Sequence, residues 1–310
     1  MNEMELIARL TRSLPANDST VVGAGDDCAV IDLGLPDRWV LFKTDAVVEG
    51  IHFTTAALPE QIGHKALARP LSDIAAMAGT PAHALVTLAL PERFDSGFVE
   101  AIYAGITALA GRHGVAIVGG ETTANPERLL ISVSLLGTVT KGRSPLRRGA
   151  QAGDAIFVTG ELGGSGLGKH LDFEPRLLEA RWLVGNFAIH SMMDISDGLA
   201  GDLRHLLNAS QVGAELLAEA IPVSRAAESG ARSETSGRPP LLAALTDGED
   251  FELLFTVASG DAVPLLDAWK KQYPELRLSC IGRISAGSGL TIRDKRGVQT
   301  LEAQGYVHFS

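Results

Sequence analysis

The sequence predicts an α/β protein built of two domains. The chain has 310 residues, enough to form two hydrophobic cores. Short apolar runs ending at glycines alternate with stretches whose apolar residues recur at helical spacing. Apolar residues make up 45% and charged residues 21%, a balance usual in globular proteins.

Taken in order, Leu6, Ile7, Leu10 and Leu14 share one face of a first, amphipathic helix. Val21–Val30 is a tight glycine turn presenting Asp26 and Asp27, of which one faces any site and the other points away. Trp39–Phe53 is strand-like at both ends. Asp45 sits in its middle between Leu41-Phe42 and Val47-Val48, so a buried, paired or metal-bound carboxylate is expected there. Gly63–Gly79 has a helical pattern that carries Asp73. Because proline is tolerated in a first turn and not in a helix interior, the ordered piece is expected to begin at Pro70. A strand over Ala82–Leu90, a helix over Phe98–Gly111, a short buried strand over Val115–Val118 and a strand over Leu129–Val139 complete the first half. Gly119, Gly120 and Glu121 follow the third of these, an acid behind two glycines.

Gly142–Asp154 joins the halves, giving domains at 1–141 and 142–310. Its Arg143, Arg147 and Arg148 suit either phosphate contacts or a solvated linker. Ala155–Thr159 is a strand, and Gly163–Lys169 then spells G-x-x-x-x-G-K. His170 stands where a P-loop has its hydroxyl residue, so a P-loop is disfavoured. In Met192–Leu203 an apolar strand runs into a helix marked by Leu199, Leu203, Leu206 and Leu207, with Ser196 at the expected N-cap. That stretch reads either as a capped helix with an acidic start or as a phosphate site bridged by metal. Ala226–Pro240, rich in Ser, Gly, Arg and Pro, predicts an exposed loop. Ala243–Val257 carries Asp247, Glu249, Asp250 and Glu252 before a strand, and two more strands follow at Leu278–Ile284 and Leu290–Ile292.

The net charge of −10 argues against nucleic acid, which needs a basic surface. No stretch is apolar for long enough to span a membrane, and the first residues lack the pattern of a signal peptide. Two cysteines far apart make neither a disulfide framework nor a zinc site. A cytoplasmic enzyme is expected. Asp27, Asp45, Asp73, Glu121, Asp194 and Asp197 each lie near a strand end or glycine turn. Carboxylates in that number converge only around cations, and Mg²⁺ shared with phosphates is the expected ion.

Several motifs then fall in one order. They are Gly25-Asp26-Asp27-Cys28-Ala29, Thr44-Asp45 with Glu49-Gly50-Ile51-His52-Phe53, Leu71-Ser72-Asp73-Ile74, and Gly119-Gly120. Gly142-Arg143-Ser144, Asp194-Ile195-Ser196-Asp197-Gly198-Leu199 and Gly248-Glu249-Asp250-Phe251-Glu252-Leu253 follow. In these the chain resembles the thiamine-monophosphate kinase family of the aminoimidazole ribonucleotide synthetase superfamily, nearly end to end. The resemblance implies an N-terminal α/β domain whose sheet pairs with its twin in a homodimer, and a C-terminal α/β domain completing the nucleotide and substrate site. It implies ATP-dependent phosphorylation of thiamine monophosphate with several Mg²⁺ ions. By position it implies Asp27, Thr44, Asp45, Asp73, Glu121, Asp194 and Asp197 as metal ligands. Gly120, Glu121, Arg147 and Ser196 would then contact ATP, and His52, Glu249 and Tyr306 the thiamine substrate.

The chain makes four departures from the family pattern. Lys43 replaces a serine, Arg69-Pro70 a Val-Asn-like pair, Glu121 an aspartate, and Asp247 a glycine. A protonated Lys43 cannot ligate a metal, but its ammonium can stand in for a metal's charge. The departures keep two alternatives open. One is a sibling ATP-using enzyme with another small substrate, and the other is a nucleotide- and metal-binding homologue without turnover.

Overall fold

The computed structural model describes residues 3–231, 238–302 and 305. The chain divides into two units, one comprising Asp18–Ser144 with His170–Leu178 and the other Met1–Asn17, Pro145–Lys169 and Glu179–Ser310. Helix α1 (Glu3–Thr11) belongs to the second; the expected apolar face is there, but Ile7 and Leu10 remain exposed.

The first unit holds β1 (Thr20–Val22), β2 (Ala29–Ile31), β3 (Arg38–Val48), α2 (Pro59–Ala76), β4 (Thr80–Leu90), α3 (Ser96–His113), β5 (Ala116–Ala124) and β6 (Leu130–Thr140). Its six strands are ordered β1-β2-β3-β6-β4-β5, and β4–α3–β5 is a crossover between the parallel pair. Two-residue alternation turns Leu41, Val47, Val86, Ile131, Val133 and Leu135 inward, where all are buried. Helix α2 packs on this sheet and against α3. On β3, β4, β5 and β6, the apolar side chains Phe42, Leu85, Val118 and Leu136 are left exposed at 45, 48, 59 and 39%.

Two expectations are corrected in this unit. Helix α2 does not begin at Pro70 but runs through it. Residues 70–76 are buried, and this packing holds the helix together where an exposed one would break. The strand expected at Val115–Val118 is longer and mostly exposed, because β5 lies at the sheet's edge.

The second unit holds β7 (Ala155–Thr159), most of α4 (Leu177–Asn186), β8 (Ile189–Asp194), α5 (Leu199–Ser210), β9 (Gly213–Leu217), α6 (Arg225–Ala231), α7 (Pro240–Thr246), β10 (Leu253–Val257), α8 (Ala262–Gln272), β11 (Leu278–Ser285), β12 (Leu290–Asp294) and β13 (Gly297–Thr300). The sheet order is β13-β12-β9-β11-β7-β10-β8, antiparallel except where β12 meets β9. Leu199, Leu203, Leu206 and Leu207 of α5 close over Ile156, Val158, Met193 and Leu254 of the sheet. Phe157 and Phe255 stack at 5.5 Å.

Here too the structure corrects the sequence. Part of the loop expected at Ala226–Pro240 is α6, capped by Ser224, whose hydroxyl oxygen accepts the Ala227 N–H at 3.0 Å. The rest of that loop, 232–237, lies outside the described residues. After β7 the glycine run forms short 3₁₀ turns instead of leading into an α-helix, and Lys169 pairs with Glu252 at 2.8 Å. The run is therefore not a P-loop. Among the described residues no helix is long and apolar enough to cross a membrane.

Candidate functional site

In the first unit, β3 and α2 face each other with four charged groups. Positions 43 and 45 share a face of the strand, and 69 and 73 stand one helical turn apart. Lys43 Nζ lies 2.7 Å from Asp73 Oδ1. Arg69 holds Asp45 with Nε 3.0 Å from Oδ2 and Nη2 3.2 Å from Oδ1, while the Ala46 N–H donates to Oδ1 at 2.8 Å. Burial acts to lower the Lys43 ammonium's pKa, but Asp73 and Asp45 outweigh it and push it above its ordinary range. Burial acts to raise Asp45, and Arg69 and then Lys43 bring it below the usual carboxylate value.

Asp27 and Asp73, both buried, each offer a carboxylate oxygen within 4.8 Å of the other. A glycine turn and strand β2 fix the first, and Cys28 N–H donating to Met77 Sδ at 3.0 Å ties that turn to the end of α2. This pair suits a hard cation with oxygen ligands. Asp45 differs from this pair in that Arg69 already spans both its oxygens.

The remaining predicted residues of this unit are spread out. The Thr44 hydroxyl is on the opposite face from Asp45, near the Ser132 and Ser134 hydroxyls at 3.4 and 3.2 Å, so the side chain does not join the acids. Asp45, Val133, Val86 and Gly120 form one row across the sheet, which separates Asp45 from the backbone beside Glu121 by roughly 14 Å, three strand spacings. One chain therefore does not bring Glu121 to Asp45. His52 Nδ1 accepts the Val48 N–H at 3.0 Å, which leaves the proton of the neutral ring on Nε2. The His52 carbonyl accepts from the buried Lys65. Phe53, the next residue, lines a cavity of about 230 Å³ with Glu49, Ile62, Leu90, Phe94 and Phe98.

In the second unit, Asp194 ends β8 and is buried, with Ser196 and Asp197 in the turn before α5. The N-cap is Gly198 and not Ser196. Asp202, on the first turn of α5, accepts the Asp197 N–H at 3.0 Å and shapes this turn in place of a serine cap. Burial, then Asp197 and Asp194, push Asp202 well above the ordinary carboxylate range, with Arg147 acting against them. Arg147 is itself anchored by its carbonyl, which accepts from the Ser210 hydroxyl at 3.1 Å. The Glu249 N–H donates to the Ser196 carbonyl at 2.7 Å, so these two predicted contacts sit side by side. Tyr306 lies outside the described residues.

Sequence reasoning missed two participants. Arg69 could have been found from its four-residue spacing to Asp73, a plus-then-minus order on the helix that repeats the order of Lys43 and Asp45 on the strand. Asp202 stands in the same acidic stretch as Asp194 and Asp197, one helical turn beyond the assigned pair.

Residues 25–139 match the N-terminal domain of AIR synthase related proteins and residues 151–295 match their C-terminal domain. The thiamine-monophosphate kinase of Rhodopirellula baltica is 41% identical over 306 residues, covering 96% of this chain and 93% of that protein. A solved structure of AaThiL complexed with AMPPCP and TMP superposes with a TM-score of 0.82 at 31% identity, covering 99% of this chain and 97% of that one. Thiamine-monophosphate kinase from Stenotrophomonas maltophilia K279a gives a TM-score of 0.73 at 30% identity, over 98% and 96% of the two chains.

Proposed function

The chain belongs to the thiamine-monophosphate kinase family, and on that premise we propose that it transfers the γ-phosphoryl group of ATP to thiamine monophosphate. The products are thiamine diphosphate and ADP. The observation that carries this reading is the extent of the likeness, 41% identity over 96% of the chain to a kinase of that name.

The attacking group is a phosphate oxygen, ionised at neutral pH, so the reaction requires no strong general base. The difficulty is holding two anions in line, a matter of positioning and charge neutralisation. Magnesium, when bound, supplies that neutralisation at the phosphate oxygens. Its proposed ligands are Asp27 and Asp73 in the first unit, Asp194 and Asp197 in the second, and Glu121 on β5. The start of α5 offers main-chain N–H groups to a phosphate, and Ser196, Gly120 and the Arg147 guanidinium join them in holding ATP. His52, through Nε2–H, and Glu249 hold the thiamine substrate, with Tyr306 in the role its position in the family motif implies. The enzyme works in the cytoplasm, where ATP is plentiful, as a homodimer. The exposed apolar side chains Phe42, Leu85, Val118 and Leu136 of this sheet support that assembly.

The test is a product assay with ATP, Mg²⁺ and thiamine monophosphate, run beside Asp194→Asn. Thiamine diphosphate from the parent protein and none from the variant is expected. A folded parent protein that makes no diphosphate overturns the reading.

A further inference from the structure

The two ion pairs between β3 and α2 form a crossed set. The strand carries plus then minus at 43 and 45, and the helix carries plus then minus at 69 and 73. Each cation therefore meets an acid that the family motif assigns to metal. Both cations stand at positions where this chain departs from that motif. The Arg69 contact is two-pronged, the geometry in which a guanidinium grips a carboxylate most firmly. Arg69 and Asp45 side chains are only 14 and 20% exposed, and Asp73 is 9% exposed, so neither pair is a loose surface contact.

We propose that Lys43 and Arg69 are built-in cations that replace divalent metal at Asp73 and Asp45, so this chain loads fewer divalent ions than its acidic residues would suggest. Arg69 takes both oxygens of Asp45 and removes that carboxylate from the ligand set. Lys43 neutralises one oxygen of Asp73, which continues to offer a carboxylate beside Asp27. Two positive charges held by the protein do part of the charge neutralisation that mobile ions do elsewhere. They act through Asp45 and Asp73 and are positioning residues. The proposal rests on the kinase reading for the presence of metal at all, but its test does not depend on which acceptor is phosphorylated.

The experiment counts Mn²⁺ bound per full-length chain, by electron paramagnetic resonance of the free ion, with a non-hydrolysable ATP analogue at saturation. The double variant Lys43→Ser/Arg69→Val is expected to bind at least one more Mn²⁺ per chain than the parent, and Lys43→Arg to match the parent. Equal counts in the parent and a folded double variant overturn the proposal. If the double variant does not fold, anomalous scattering from Mn²⁺-soaked crystals of the parent decides. Arg69 still seated on Asp45 supports the proposal, and Mn²⁺ bound to Asp45 with Arg69 displaced overturns it. Failure of the diphosphate assay with the predicted Mn²⁺ count intact would fault the kinase reading alone.

Discussion

A Cβ placed on Gly248 would stand 2.5 Å from the Ser196 carbonyl oxygen, the same oxygen that accepts the Glu249 N–H at 2.7 Å. The loops around these residues are stitched further, because Ile195 N–H donates to the Glu252 carbonyl and Phe251 N–H to the Ile195 carbonyl, both at 2.8 Å. Glu249 and Phe251 hold left-handed backbone angles, φ +66° and +51°, a strain of about 1 kcal/mol or more each that the stitching sustains. Gly248→Ala must pry the loops apart and shift Ser196 and Glu249 together. We expect kcat/KM to fall roughly 10- to 100-fold while the protein stays folded, as misplacement of binding groups does. Steady-state kinetics beside circular dichroism checks this, and unchanged kinetics would show that the loops tolerate the shift.

Helices α2 and α3 cross at two glycines. A Cβ on Gly63 would lie 1.9 Å from the Ile102 carbonyl oxygen, and one on Gly105 would lie 2.0 Å from that of Glu60. Both obstacles are backbone, which cannot swing away as a side chain does. Gly63→Ala should therefore destabilise the protein by ~1–3 kcal/mol or more, although alanine favours helix intrinsically. Urea unfolding reads the difference directly.

The sequence made α5 legible because Leu199, Leu203, Leu206 and Leu207 all reach one core and recur at the helical period. Its start was misread at Ser196, since what shapes the turn is Asp202 reaching back from inside the helix. Proline's local rule failed at Pro70 because burial of α2 is a tertiary effect that no window of the sequence contains. The acids of the candidate site were legible as residue types, but their partners were not. Whether Asp45 meets a metal or Arg69 depends on how a strand and a helix cross, and the alternation that puts Asp45 inward also turns the Thr44 hydroxyl away.

The outer face of the first unit's sheet predicts an assembly. Phe42 and Leu136 are directly paired across β3 and β6, and both are exposed. Placing charge there is cheap for the isolated fold, since neither side chain is in the core. Leu136→Asp should convert the proposed homodimer to a monomer with little loss of secondary structure. Sedimentation velocity distinguishes the two, and a variant that sediments as the parent does would remove this face from the interface.

Asp250 gives a pH signature that belongs to the fold and not to the metal ligands. Burial pushes it up to about 7 from the usual 3.8, against Lys169 and the Gly163 N–H and with help from Glu252 and Asp247. Gly163 N–H lies 3.0 Å from both oxygens. Between these pH limits the folded state binds the proton more tightly than the unfolded chain does. Its contribution to stability is therefore complete below about 4, falls as pH rises, and is gone above about 7. A shift of that size corresponds to about 4 kcal/mol across the window. Asn in place of Asp keeps an oxygen for the Gly163 N–H and carries no charge. Asp250→Asn should match the parent near pH 4 and exceed its stability by a few kcal/mol at pH 8. Denaturant unfolding of both proteins across that range measures the difference. Parallel curves would mean that Asp250 titrates alike in the folded and unfolded states.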